Sequence, residues 1–139
     1  MDKRIYLCLA HMSGKEQDFI REAFDTNWVV PLGPNVNAFE DDLKHFVGQN
    51  KEVVALSAGT AAIHLGLIQL GVGVGDGVIC QSFTFCASAN PVVYQGATPV
   101  FIDSEEDTWN MDPALLEEAI KDRIAQTGKK PKAHLPVHL

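Results

Sequence analysis

Residues 53–65 read Val53-Val54-Ala55-Leu56-Ser57-Ala58-Gly59-Thr60-Ala61-Ala62-Ile63-His64-Leu65, and this stretch decides the fold. Its apolar start, Val53–Leu56, predicts a strand, and the small residues after it predict a tight turn into a helix. Such a turn leaves free N–H groups at the start of the helix, where the helix dipole favours an anion. Gly59 and Thr60, with its hydroxyl, are therefore candidate phosphate ligands. The pattern also fits an ordinary turn in which Ser57 or Thr60 caps the helix.

Strand and helix alternate through residues 53–139. The predicted strands are short apolar runs, namely Val53–Leu56, Val78–Cys80, Thr98–Ile102 and Ala133–His138. Helical patterns lie between them, over 61–70, from 85 or 86 to 94, and from Asp112-Pro113 to about 125. Repeated β–α–β units with such apolar strands predict an α/β fold, with a mostly parallel sheet covered by helices on both faces.

Residues 1–52 have a different, helical pattern. Ser13 with Glu16 three residues later predicts a capping box at the start of one helix. A second helix is predicted to begin at Asn35 or Val36 and to end at Gly48. We therefore expect a helical segment over 1–52 and an incomplete α/β domain over 53–139.

Candidate ligand-binding residues follow several of the predicted strands. They are the Ser57–Thr60 turn, the segment Gln81–Phe85 and Asp103. Ligands of parallel sheets bind beyond the carboxyl ends of the strands, so we expect these residues to lie along one edge. Phe83 is expected in the core. The pattern fits Phe85 equally well as a core residue and as an outward ring that stacks on a flat ligand.

Composition and charge exclude several classes of protein. The 139 residues, 46% hydrophobic and 21% charged, suit one soluble domain. A net charge of -7 argues against a nucleic-acid partner, which would need a basic surface. No apolar run is long enough to span a membrane, and the first residues do not read as a signal peptide. A cytoplasmic protein is therefore expected.

The three cysteines do not predict a metal site or a disulfide. Cys8, Cys80 and Cys86 form no CxxC pair and show no Cys/His spacing typical of zinc. Their apolar or small neighbours predict buried, reduced thiols.

Taken together, these segments resemble the N-terminal part of the DegT/DnrJ/EryC1/StrS family of sugar-nucleotide aminotransferases. The similar segments, in order, are Trp28 with Leu32-Gly33-Pro34, Phe39-Glu40, Ser57–Leu65, Ser82–Phe85, Ala87–Asn90, Gly96–Asp103, Asn110–Pro113 and Pro136–Leu139. The resemblance covers nearly the whole chain. It implies a fold type I pyridoxal-phosphate enzyme, of which this chain is the N-terminal part of the large domain.

The resemblance also implies a cofactor site. In that family the Gly-Thr turn binds the phosphate of pyridoxal 5'-phosphate, which corresponds here to Gly59 and Thr60. The aromatic residue of the Ser-x-Thr-aromatic segment stacks on the pyridine ring, which corresponds to Phe85. Trp28 is implied near the substrate entrance, although it equally suits a packing role. Residues 1–52 are implied in the substrate entrance and in dimer contacts.

The implied reaction transfers an amino group, commonly from glutamate, to a nucleotide-linked keto-sugar for polysaccharide or glycan biosynthesis. The family forms dimers, so a homodimer or higher oligomer is implied. Its Schiff-base lysine lies beyond Leu139, and no lysine of this chain matches the motif around it. The resemblance therefore implies no catalytic residue in this chain, which is expected to be an inactive fragment.

Two other interpretations stay open. One is a different pyridoxal-phosphate enzyme of the same fold, such as a relative of cysteine desulfurase. The other is a non-catalytic remnant that binds a phosphorylated ligand or a partner chain. Within the family itself, the aminotransferases and a dehydratase subgroup remain alternatives.

Overall fold

The computed structural model describes residues 4, 6, 8–48 and 50–138. The chain divides into two compact units, Met1–Ala55 and Leu56–Leu139. The first unit contains helices α1 (Glu16–Asp25) and α2 (Pro34–Val47). The second contains α3 (Gly59–Gln69), β1 (Gly77–Gln81), a 3₁₀ helix (Cys86–Ser88), α4 (Asn90–Tyr94), β2 (Thr98–Ile102), α5 (Pro113–Thr127) and β3 (Ala133–Leu135). In the described part of the chain, no helix is both long and apolar enough to cross a membrane.

The two predicted helices of the first unit are present. At α1 the Glu16 carboxylate accepts from the Ser13 N–H at 2.6 Å, as in a capping box, but the helix begins at Glu16 itself. Pro34 occupies the first position of α2, where its missing N–H removes no helical bond, and Gly48 ends the helix at φ +108°. Neither helix buries a side chain completely.

Among the described residues, the second unit forms a sheet of three strands in the order β2-β1-β3. Both strand pairs are parallel, as predicted. Ile79 of the central strand lies beside Val100 of β2 and His134 of β3. The central strand is the most buried part of the sheet, since every residue from Val78 to Gln81 is buried.

Helices cover both faces of the sheet, as expected. Val78 and Cys80 point to one face and share a core cluster with Leu67 of α3 and Val92 of α4. Ile79 points to the other face, because successive side chains of a strand alternate. There it shares a cavity wall with Leu116 and Ile120, which are residues of α5.

The strand predicted at Val53–Leu56 is absent, which is the main correction to the expected elements. Val53–Leu56 pairs with no other strand in the described part of the chain, so it lacks the ladder bonds that define a strand. The Ala55 N–H instead donates to the Glu40 carboxylate at 2.8 Å.

The helix predicted from 85 or 86 to 94 is broken into two pieces. Cys86–Ser88 is a 3₁₀ helix, and α4 begins only at Asn90. Pro91 explains the break, because it has no N–H to donate to the preceding turn.

The last strand is shorter than predicted, since β3 ends at Leu135 rather than His138. Pro136 follows and cannot donate to the ladder. The prediction of three buried thiols is correct for Cys80 only, because Cys8 and Cys86 are exposed.

Candidate functional site

The ends of β1 and β2 are joined directly by a side-chain hydrogen bond. Ser82 follows β1 and Asp103 follows β2, and the Ser82 hydroxyl donates to Asp103 Oδ1 at 3.2 Å. The Ser82 N–H also donates to the Ile102 carbonyl at 2.8 Å. The polar residues after these two strands therefore lie together at the carboxyl edge of the sheet.

Gln81, the last residue of β1, connects that edge to other segments of the chain through its buried side-chain amide. Its side chain is 0% exposed. Its Nε2 donates to the Ser104 hydroxyl at 2.9 Å and to the Trp109 carbonyl at 2.7 Å, and its Oε1 accepts from the Val137 N–H at 3.2 Å. One buried amide thus connects β1 to the loop after β2 and to the segment after β3.

An aromatic pair lies at the same edge, with Phe83 from the segment after β1 and Trp109 from the loop after β2. The rings of Phe83 and Trp109 lie 5.4 Å apart, tilted by 56°. The expectation of a core Phe83 is wrong: it is 52% exposed, because the strand ends at Gln81 and the chain leaves the sheet before Phe83. Trp109 adopts φ +62°, which is unusual for a bulky residue, and its carbonyl is held by Gln81.

Helix α3 begins without a side-chain cap. Its N-cap residue is Ala58, so neither Ser57 nor Thr60 caps it, and no acidic residue lies in its first turn. The Ala58 carbonyl accepts from the N–H groups of residues 61 and 62, at 3.0 and 3.2 Å. Among the described residues, none accepts a hydrogen bond from the N–H of Gly59 or Thr60.

This helix start has the properties that a phosphate site requires. Two N–H groups point out of an 11-residue helix, whose dipole adds partial positive charge there. A Cβ placed on Gly59 would meet no atom within 4 Å, so the chain leaves open space beside this residue. No carboxylate of the first turn competes for the N–H groups, so Gly59 and Thr60 fit the phosphate of a cofactor.

Phe85 lies outside the core, so the core role that its sequence allowed is wrong. Its side chain is 78% exposed. It directly precedes the 3₁₀ helix, which packs against α3. A hydrogen bond of 2.7 Å between the hydroxyls of Thr84 and Ser88 holds this segment. The ring is therefore free to cover a flat ligand, on a segment in contact with the helix that carries Gly59 and Thr60.

Trp28 belongs to the first unit. It is 51% exposed, and its ring lies against the Gly33 turn, where an added Cβ would come within 3.2 Å of Trp28 Cε3. Within its own unit, Trp28 thus packs on the Leu32-Gly33-Pro34 turn.

Potential catalytic groups are sparse around this edge. Burial raises the pKa of the Cys80 thiol to about 11, which keeps it protonated and unreactive at neutral pH. Residues 4, 6, 8–48 and 50–138 contain no group of three or more His, Cys, Asp or Glu side chains that could hold a metal ion.

Comparisons with known proteins identify the family. Residues 11–139 match the DegT/DnrJ/EryC1/StrS aminotransferase family. The chain is 55% identical over 139 residues to EpsN of Bacillus subtilis strain 168, named as a candidate pyridoxal phosphate-dependent aminotransferase, and covers 35% of its length. It is 40% identical over 136 residues to a GDP-perosamine synthase of Caulobacter vibrioides; that match takes in 98% of this chain and 34% of the synthase.

A solved structure confirms the fold. A DegT DnrJ EryC1 StrS aminotransferase from Brucella abortus matches with a TM-score of 0.74 and 34% identity, over 91% of this chain and 36% of that one. The α/β arrangement is thus part of a fold type I aminotransferase domain, and the chain spans about a third of the length of the curated relatives it matches. Sequence and structure agree that this chain belongs to the DegT/DnrJ/EryC1/StrS aminotransferase family.

Proposed function

We propose that this chain is the cofactor-phosphate-binding part of a pyridoxal-phosphate-dependent aminotransferase that acts on a nucleotide-linked keto-sugar. The observation that carries the proposal is the uncapped start of α3, where the N–H groups of Gly59 and Thr60 have no acceptor among the described residues. Family membership supports it. So do the names of its relatives, a candidate pyridoxal phosphate-dependent aminotransferase and a GDP-perosamine synthase.

In this proposal the first turn of α3 binds the cofactor phosphate. The two N–H groups and the Thr60 hydroxyl donate to phosphate oxygens, and the helix dipole adds to the attraction. Bound pyridoxal phosphate supplies an electron sink, which is chemistry that the protein side chains do not provide.

Phe85 orients the cofactor ring in the same proposal. An exposed aromatic side chain on a fixed segment can stack on one face of a pyridine ring and exclude water from it. The hydrogen bond between Ser82 and Asp103 and the hydrogen bonds of the Gln81 amide fix the residues that directly precede this segment. We place Trp28 and residues 1–52 at the substrate entrance, as the family resemblance implies.

We further propose that the 139-residue chain alone does not transfer amino groups. The lysines in the described part of the second unit are Lys121, Lys129, Lys130 and Lys132. Lys121 pairs with Glu117 on α5, and the other three follow α5, where they precede β3. None of them follows the carboxyl end of a strand, where the cofactor would lie.

Pyridoxamine 5'-phosphate binding to the 139-residue chain tests the phosphate site. We expect saturable binding, weakened about tenfold by Thr60→Val, since a hydrogen bond to a charged group contributes about 1.5 kcal/mol or more. Thr26→Val is the matched control, because the Thr26 hydroxyl bonds to the Glu22 carbonyl in the first unit. Equal affinities of Thr60→Val and the unaltered chain would overturn the site.

Borohydride reduction with pyridoxal 5'-phosphate, followed by mass spectrometry, tests the lack of catalysis. We expect no stoichiometric adduct on any single lysine, and no amino transfer from glutamate, our proposed donor. One uniquely labelled lysine would contradict this part of the proposal.

A second copy of the chain is the proposed partner, as the resemblance implies. Large apolar side chains such as Val74 and Phe101 remain exposed in the second unit. Sedimentation velocity over a range of concentrations should show association, whereas a monomer at all concentrations would count against it.

A further inference from the structure

A polar cavity lies at the amino-terminal edge of the sheet, opposite the edge that carries Phe85. Its volume is about 250 Å³. It is lined by Gly77, the first residue of β1, and by Thr98, the first residue of β2. Because the strands are parallel, their first residues share one edge and their last residues share the other. This cavity is therefore separate from the start of α3 and from the proposed cofactor site.

The cavity wall is basic although the whole chain carries a net charge of -7. Arg123, Lys129 and Lys130 line it, against one carboxylate, Asp76. Asp76 is already engaged, since its Oδ2 accepts from the Gly73 N–H at 3.1 Å. The wall thus has a surplus of positive charge.

Two of these cations have no carboxylate partner among the residues that the structure describes. Arg123 is paired with Asp122 at 2.7 Å. For Lys129 and Lys130, the part of the chain that the structure describes offers no carboxylate within 4.0 Å. Their ammonium groups are therefore available to an anion.

The segment that carries the two lysines is held at both ends. Gly128 ends α5 at φ +71°, and the Lys129 N–H donates to the Thr127 hydroxyl at 3.2 Å. At the other end, the Lys132 N–H donates to the Gly77 carbonyl at 2.8 Å. A backbone fixed in this way reduces the ordering cost that binding would otherwise incur.

We propose that this cavity binds a small phosphate-bearing anion through Lys129 and Lys130, with the hydroxyl of Thr98 as a further donor. Ammonium groups are strong donors to phosphate, and the cavity has room for a small phosphorylated molecule but not for a large cofactor. Lysines at this position also fit a purely structural role, in which their positive charge offsets the negative end of the α5 dipole. That role requires no ligand.

Titration of the ¹⁵N-labelled chain with inorganic phosphate, at ionic strength fixed with sodium chloride, separates these roles. We expect saturable shifts of the amides of Thr127, Lys129 and Lys130. The double variant Lys129→Ala/Lys130→Ala should weaken that affinity at least about tenfold. Lys121→Ala is the matched control on α5, because Lys121 pairs with Glu117 and does not line the cavity.

The titration also keeps this inference apart from the proposed cofactor site. Thr60→Val should weaken phosphate binding at the start of α3 about tenfold and leave the shifts after α5 unchanged. Linear, non-saturating shifts after α5, or equal loss of affinity in the double variant and in Lys121→Ala, would overturn the inference. Both lysine positions are exposed, so their substitution leaves the core intact, and the amide spectrum checks this.

Discussion

Gln81 connects three segments of the chain through one side chain, and its removal has a calculable effect. Met has nearly the same size but no donor or acceptor of comparable strength, so Gln81→Met leaves the Trp109 carbonyl and the Val137 N–H without their partner. Each polar group left unsatisfied costs about 1–3 kcal/mol. We expect Gln81→Met to lower the free energy of unfolding by at least about 2 kcal/mol in urea titrations.

Gln69→Met serves as the control for this prediction. Gln69 is an exposed residue at the end of α3, so we expect a change within about 0.5 kcal/mol. A similar small change for Gln81→Met would show that the buried amide does not stabilise the edge.

The hydrogen bonds that Glu105 accepts lead us to expect a pH-dependent change in the loop after β2. Hydrogen bonds from the Thr108 side chain, and then from backbone N–H groups including that of Asp107, hold the pKa of Glu105 below its ordinary value of 4.5. Because the pKa of Glu105 is lowered in the folded state, its ionised carboxylate stabilises the folded loop above about pH 4.5. This stabilisation is lost as the pH falls through the pKa of the folded state. The Thr108 amide resonance should therefore shift with a midpoint below pH 4.5.

The matched variants for this titration are Glu105→Gln and Glu106→Gln. Glu105→Gln should abolish the transition of the Thr108 amide, and Glu106→Gln should leave it in place. Persistence of the transition in Glu105→Gln would assign it to another group.

The candidate residues Gly59, Thr60 and Phe85 could be proposed from sequence because their signals are local. A strand-like run followed by small residues marks the turn at Gly59 and Thr60. The pattern left Phe85 open between the core and a ligand, and the family resemblance implied its stacking role. Gln81 could not be assigned its role in this way. Its three partners lie 23, 28 and 56 residues away, and no local pattern shows that they meet.

Helix α5 shows an element whose limits follow from local chemistry. The sequence predicts its start at Asp112-Pro113, and Asp112 is its N-cap: the Asp112 carboxylate accepts from the N–H groups of Ala114 and Leu115 at 2.7 and 3.2 Å. An N-cap carboxylate contributes about 1 kcal/mol. We expect Asp112→Ala to lower the free energy of unfolding by that amount in urea titrations, and the exposed Asp107→Ala to change it by less. Equal effects would mean that the cap does not stabilise α5.

Elements that depend on distant partners were predicted less well. The strand β2 has the predicted limits, since its apolar run ends at the polar Asp103 and pairs with a central strand. Val53–Leu56 has an equally apolar sequence but no partner strand among the described residues, so the same local signal gives no strand. The sequence pattern predicts that a segment can form a strand, and pairing with a neighbouring strand decides whether it does.

The two units differ in how they are stabilised. Every buried apolar side chain of the described residues belongs to the second unit, with Val78, Cys80 and Val92 at its centre. Helices α1 and α2 bury none, so amphipathic stripes in the sequence of the first unit do not correspond to a core of its own. Burial of apolar surface is the main source of folding stability, and it is concentrated in the sheet and its helices.

Amide hydrogen exchange of the whole chain should therefore differ between the two units. Local opening is least costly where few apolar contacts are buried, so we expect α1 and α2 to exchange at rates near those of fraying helices. The amides of β1, which is buried and paired on both sides, should be the slowest and should exchange only on global unfolding of the second unit. Exchange followed by NMR residue by residue measures this directly. Val92→Ala, which removes a core side chain, should accelerate the β1 amides without changing those of α2, and uniform protection of both units would instead show one cooperative structure.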